Sequence, residues 1–413
     1  MRTNRFVWLA AVAALLTLAG SYQPLAASIQ AVEQVGPKSQ LLADKAEKSG
    51  FKWELELDAA AEFESNTFRL TTTQLDRMKR DKNVDQDNGR FVDMNTDYDI
   101  HFLLNVELML EFEGLAKQRF RIIPFAGYDL YLLNFRKSHP DFGLAFEHTF
   151  TKHGRMRLEF DYIPGEFRRN YLVDAVNTGG SVSASQRDYD PGIRDGYGFD
   201  LDYRHTVFRT GGSKDSFGTI ELTVSGHVGL HSYQYRGELK NRNQSGYEIG
   251  AAAEISFGRW LTLGIGHDFG WEGSPRGKEV FIVDEPDVGI DLDNDGDAND
   301  NNIRLFERVD RTNASHRTTF DVAVGLGADW SLPLRYRLTI TDYTSGDSLD
   351  FSHRDRTDTT HDVKGGVQWK VSSLVRLELL GFFTQKTRNK GAVDTGDGSY
   401  TNFGGSFGIR LSF

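Results

Sequence analysis

The chain has 413 residues, with 48 Lys and Arg against 59 Asp and Glu, a formal net charge of −11 and no cysteine. An acidic balance sets nucleic acid aside as a partner, because phosphate binding draws on a surplus of basic groups. The lack of cysteine removes disulfides, metal–thiolate sites and thiol catalysis together.

Residues 1–27 read as an export signal peptide. Arg2 and Arg5 form a positive n-region, Phe6 to Leu18 is apolar apart from Thr17, and Leu25, Ala26 and Ala27 precede a cleavage point before Ser28. That stretch is shorter than the roughly 20 residues a spanning helix needs, and no later run reaches even about 18 apolar residues. Residues 28–50, with Leu41, Leu42, Lys45 and Glu47, form a leader segment ahead of the fold: a short helix, a plug-like insert or an unstructured leader.

From residue 51 onward the pattern has period two. Phe51, Trp53, Leu55, Leu57, Ala59, Ala61 and Phe63 alternate with Lys52, Glu54, Glu56, Asp58, Ala60 and Glu62. Side chains alternate faces along a strand, so one face is apolar and the other charged. The same pattern returns at Tyr98, Ile100, Phe102, Leu104, Val106, Leu108, Leu110 and Phe112. Further strands are expected near 119–133, 142–150, 155–163, 196–207, 218–231, 245–257, 260–271, 316–330, 334–343, 361–371, 375–386 and 400–413. Fourteen strands in all make an all-β fold, a transmembrane antiparallel up-and-down β-barrel over residues 51–413, in which an even count returns both ends to one side.

The connections alternate as such a barrel requires, with short turns on one side and long loops on the other. Long loops are expected at 64–96, 134–141, 164–195, 232–244, 272–315, 344–360 and 387–399, and short turns at 114–118, 151–154, 258–259, 331–333 and 372–374. The stretch 208–217 is long for a short-side turn and leaves room for two further strands. Trp53, Trp260, Trp330 and Trp369 fall near the short-turn ends, where a membrane interface holds amphipathic rings. Pro124 falls inside the third strand, where a bulge or local break is expected.

The C-terminus, Phe407-Gly408-Ile409-Arg410-Leu411-Ser412-Phe413, resembles the C-terminal assembly signal of Gram-negative outer-membrane β-barrel proteins, with alternate apolar residues and a final aromatic. The resemblance implies delivery to the barrel-assembly machinery and residence in outer-membrane lipid, and it covers the last strand alone. The chain is expected to work as a monomer.

If the apolar face meets lipid, the opposite face lines a lumen. Glu54, Glu56, Asp58, Glu107, Glu248 and Asp268 belong to an acidic arc, and Arg119, Arg121, Arg157, Arg335, Arg337 and Arg410 to basic ones. Opposed arcs would set a transverse field that orients polar solutes; the same charges would also serve as a salt-bridged filling of a narrow barrel. His227 shares the inner face with Ser225, and Glu248 and Asp268 fall at similar height, a set from which nucleophilic hydrolysis is built.

Residues 291–302 match the spacing of a calcium loop, with oxygen ligands from Asp291, Asp293, Asp295, Asn299 and Asn302, the backbone carbonyl of Asp297, and Gly296 at the sharp turn. Asn302 replaces the bidentate glutamate of the pattern, so Ca2+ would bind weakly, and no other cofactor is required. The competing reading is a solvated acidic loop tip. The functional expectation is a channel or porin-like transporter for small polar or charged solutes. A non-conducting scaffold or adhesion barrel, or an outer-membrane hydrolase, would share the same pattern.

Overall fold

The computed structural model describes residues 51–71, 75, 78, 95–114, 118–151, 153–175, 187–210, 219–275, 277–283, 303–345, 350, 353–389 and 399–413. The signal peptide, the 28–50 leader and the 291–302 calcium loop lie outside the described residues. The strands are β1 (Phe51–Glu64), β2 (Asp99–Glu113), β3 (Arg119–Tyr131), β4 (His139–Thr151), β5 (Gly154–Ala175), β6 (Arg187–Arg209), β7 (Ile220–Tyr235) and β8 (Gln244–Phe257). They continue with β9 (Leu261–Gly273), β10 (Gly277–Val283), β11 (Ile303–Val309), β12 (Asn313–Leu326), β13 (Trp330–Tyr343), β14 (Thr357–Lys370), β15 (Val375–Arg388) and β16 (Tyr400–Ser412). Fourteen of them close into one antiparallel barrel in chain order, while β10 and β11 pair only with each other. The seam joins β1 to β16, with Glu56 opposite Ser412 and Asp58 opposite Arg410.

The barrel closes this way because each strand has two incompatible faces. Leu104, Val106, Val224, Leu263, Ile265 and Leu379 stand exposed on the outer face, while their neighbours in sequence turn inward and are mostly polar or small, with Leu103 and Leu380 as exceptions. In lipid this arrangement satisfies every backbone group through the closed ladder and leaves no open edge. Near the short-turn ends, Trp330 and Trp369 stack with ring centroids 5.0 Å apart and planes 5° from parallel. Residues 51–53 and 111–113 form a small unit of their own, in which Phe51 packs on Phe112.

Several local expectations are corrected. Pro124 causes no bulge toward β4: the β3–β4 register runs unbroken through Pro124 opposite Leu144. A strand residue aims its N–H at only one neighbour, so a proline can leave the ladder on its other side intact. Pro333 shows the same asymmetry. It pairs with Ala323 of β12, whereas the β13–β14 pairing skips from Ser331 to Leu334. The turn expected at 331–333 instead falls at 327–329, where Gly327 has a φ of 79°, open to glycine without steric cost. The 208–217 stretch hides no extra pair of barrel strands, since β6 and β7 are neighbours in the closed order.

The 164–195 region is not a loop throughout, because β5 runs to Ala175 and β6 starts at Arg187. Register shifts at Ile163/Glu166, Phe167/Asn170 and Leu172/Asp174 interrupt the alternation there. Each bulge adds a residue and flips the parity that marks a strand in sequence. The 272–315 connection likewise contains the β10–β11 hairpin.

Candidate functional site

Two of the lumen cavities, the larger ones, lie at different heights, and a third of about 250 Å³ lies beside Asp58 and Arg410. The inner one, about 590 Å³, lies toward the short-turn ends and is lined by four carboxylates (Glu254, Asp268, Asp321, Glu378) and four cations (Arg204, Arg335, Arg337, Lys364). The outer one, about 450 Å³, lies at the long-loop ends and includes Arg69, Lys137, Arg168, Arg194 and Lys386 in its wall.

Register decides how the lumen charges meet. Arg410 Nε donates to Asp58 Oδ1 at 2.8 Å and lies 3.1 Å from Glu56 Oε1. Glu107 feels Glu56, Asp58, Arg157 and Arg410 together, so five of the sequence-derived residues form one cluster. Arg121 and Arg155 flank Glu147, at 3.1 and 3.3 Å. His227 Nε2 lies 2.9 Å from Glu248 and its Nδ1 lies 3.7 Å from Asp268. Arg335 Nε donates to Asp321 at 2.6 Å. Arg337 lies in the field of Arg317, Arg335, Asp362 and Asp268, and its buried Nε has no hydrogen-bond partner among the described residues. Glu54 shares the inner face of β1, and Arg119 stands exposed at the start of β3, opposite Thr149; neither joins these clusters.

The expected acidic and basic arcs are therefore interleaved. Arg204, Arg209 and Arg317, which the sequence reading did not single out, neutralise the acidic wall by pairing with Glu254, Glu221 and Glu248. The alternation Arg317-Thr319-Asp321 was the available signal for one of them. His227, Glu248 and Asp268 offer ligand atoms within 4.8 Å of one another, a span a metal ion accepts. Arg317 already forks onto Glu248, at 3.0 and 2.6 Å, and reaches Asp268 at 3.8 Å, so a second cation there meets like-charge repulsion. No hydrogen bond joins Ser225 to His227 among the described residues, so the hydrolytic set is not assembled.

The long loop expected at 64–96, one of those expected to narrow the outer mouth, has its first residues against the barrel wall. Phe68, Leu70 and Met78 bury against Phe167 of β5, with Leu75 and Ile193 of β6 packed alongside. β5 lies four strands from β1, so this segment crosses the outer opening. Asn66 anchors it: its carboxamide donates to the carbonyls of Leu70 and Thr401 and accepts from Leu70 N, while its own N–H donates to Asn402 Oδ1. Lys137, in the 3-10 turn Phe135–Lys137, donates to the Thr67 carbonyl at 2.7 Å and sits over the rings of Phe68 and Tyr131.

Across the rim, Asp350 is fully buried and pins the connection between β13 and β14. It accepts from the backbone N–H groups of Asp310 and His353 and contacts the His353 ring at 3.0 Å. Burial alone would push its carboxyl up, but the His353 ring, together with the Asp310 N–H, holds it down at about 2. A depressed folded pKa contributes stability that is complete above the ordinary carboxylate value of about 3.9 and lost as pH falls through about 2. Asp350→Asn should loosen this connection by about 1–3 kcal/mol. Limited proteolysis at neutral pH checks it: wild type should resist cleavage between β13 and β14 and the variant should not, and equal resistance would deny Asp350 this role.

A closed antiparallel barrel of fourteen strands, apolar outside and charged within, is the fold of outer-membrane β-barrel proteins. No family model matches the chain, and no curated protein matches it. Among solved structures it is similar to an anion-selective porin from Comamonas acidovorans, at 12% identity over 88% of this chain and 99% of that one, with a TM-score of 0.34. It is also similar to the outer-membrane channel DcaP of Acinetobacter baumannii, at 7% identity over 88% and 97%, with a TM-score of 0.40. The TodX monoaromatic hydrocarbon channel matches at 9% identity over 88% and 91%, also with a TM-score of 0.40.

Proposed function

We propose that the chain is exported to the outer membrane and there provides passage for small polar or charged solutes as a single barrel. The observation that supports this most directly is the pair of lumen cavities, about 590 and 450 Å³, stacked from the short-turn end toward the long-loop end and walled by ionised side chains. Such walls replace the hydration of a charged solute and repel an apolar one. The crossing segment after β1 narrows the outer entrance. A barrel serving only as a scaffold gains nothing from enclosed polar space, because burying charge is costly even when it is paired.

Reconstitution in planar bilayers tests this reading. Purified protein should give discrete conductance steps. Glu56→Gln combined with Asp58→Asn leaves Arg410 without its two carboxylates, so the reversal potential in a salt gradient should move toward anion preference. Should neither the wild type nor a variant with the crossing segment released conduct, the barrel is a scaffold rather than a channel.

A further inference from the structure

The outer cavity differs from the inner one in how its charges are satisfied. Its carboxylates already have partners. Glu166 is flanked by Arg168 and Arg194, Glu272 by His231 and Asn313, Glu64 accepts from Asn402, and Asp129 lies 4.0 Å from the His101 ring and in the field of His139 and Lys137. Two of its cations, Lys137 and Arg69, are less well matched than Arg168 and Arg194, which pair with Glu166, and Lys386, which pairs with Asp358. Among the described residues, Lys137 has one carbonyl and two aromatic faces but no carboxylate within ion-pair distance. An ammonium carries three donors, and only one of these is used among the described residues. Arg69 lines the same cavity beside the Tyr400 hydroxyl, and its charge and that of Arg168 oppose the Lys137 ammonium while Glu64 favours it.

Arg69 is also held there against backbone preference. Its φ of 54° lies in the left-handed region, which a non-glycine residue occupies at a cost. The turn that imposes this is closed by the Arg69 N–H donating to the Asn66 carbonyl at 3.0 Å and by the Asn66 carboxamide on Leu70. Strain retained at a cavity wall, presenting a cation to another cation, points to a negatively charged occupant.

We infer that the outer cavity binds a small hydroxylated organic anion of the sugar-acid class, its carboxylate held between Lys137 and Arg69. The carboxylate relieves the repulsion between the two cations and engages the unused donors of Lys137. The hydroxyls find partners in Tyr400 and Gln244 and in carboxylates such as Glu64. An aliphatic tail in their place would leave those groups unpaired and is disfavoured. The cavity's 450 Å³ falls within the roughly 300–1,000 Å³ of small-molecule sites. This names a solute class for the passage proposed above and rests on that reading for its physiological meaning, though the binding itself does not require conduction.

Burial pushes the Lys137 ammonium down to about 8, with Glu64, Glu166, Arg69 and Arg168 as the charged groups around it. Anion affinity should therefore weaken as pH rises through about 8.

Calorimetric titration of the full barrel in detergent with gluconate, its neutral polyol sorbitol, its cationic amine glucamine, and hexanoate tests the inference. Gluconate should bind roughly tenfold or more tighter than the other three. Lys137→Met and, separately, Arg69→Gln should each weaken gluconate by about tenfold while leaving sorbitol unchanged. The second variant guards against a folding defect in the first, since Arg69 is exposed and Lys137 also ties down Thr67. Sorbitol binding as well as gluconate, or neither variant weakening gluconate, overturns the site; hexanoate matching gluconate overturns the hydroxylated class. Gluconate binding without any bilayer conductance keeps the site and removes the channel, and conductance without gluconate preference does the reverse.

Discussion

Val106→Arg should abolish assembly, while Glu107→Gln, the next residue along, should leave it intact. Val106 is the middle residue of β2 and is 46% exposed on the outer face, at the depth where the hydrocarbon lies. An arginine at mid-membrane depth on that face costs about 2–4 kcal/mol, since neither lipid nor the closed ladder offers it a partner. Glu107 points the other way, into the cluster of Glu56, Asp58, Arg157 and Arg410. Its neighbours include two like charges and two opposite ones, so a neutral amide of the same shape changes little. The folded fraction after refolding into detergent or vesicles, read from the shift in gel mobility between heated and unheated samples, separates the two. Equal tolerance would mean that the two faces of β2 are exchanged.

The contrast between those two adjacent residues is what made the fold legible. Wherever alternation runs unbroken, as from Tyr98 to Phe112, parity in the sequence gives strand, face and lumen lining together. It stops being informative where the backbone departs from period two. β5 and β6 continue beyond Ile163, but three register shifts scramble the pattern there, and the stretch reads as a loop. At Pro124 the ladder toward β4 is unbroken, because the loss of one N–H touches only one side of a strand. Lumen residues were readable individually but not in combination. Parity places Asp58 and Arg410 inside the barrel, yet only the closing register sets them opposite one another. The outer cavity was least legible of all. Arg69 and Lys137 sit in two different connections, and nothing in either local sequence says that they line the same cavity.

Releasing the crossing segment should enlarge the conductance step without weakening the barrel. Asn66 is 2% exposed and Phe68 7%, and both hold the segment to walls that pair perfectly well without it. Asn66→Ala leaves the Leu70 N–H and carbonyl unpaired, at about 1–3 kcal/mol for each buried group. Phe68→Ala removes the ring that packs edge-on against Phe167, with centroids 6.5 Å apart, and that carries Lys137 over its face. Truncating a buried Phe typically costs about 3–5 kcal/mol. Both losses fall on the contacts that hold the described part of this connection to β5 and β16, so the segment should leave the wall rather than adjust on it. The barrel ladder contains neither side chain, so the heating needed to shift gel mobility should stay at the wild-type value. Single-channel recordings of Asn66→Ala/Phe68→Ala beside wild type make the comparison, with protease sensitivity of the connection between β1 and β2 showing that release has occurred. A cleaved connection with an unchanged conductance step would place the constriction elsewhere, at the ion-paired belt of Glu248, Asp268 and Arg317.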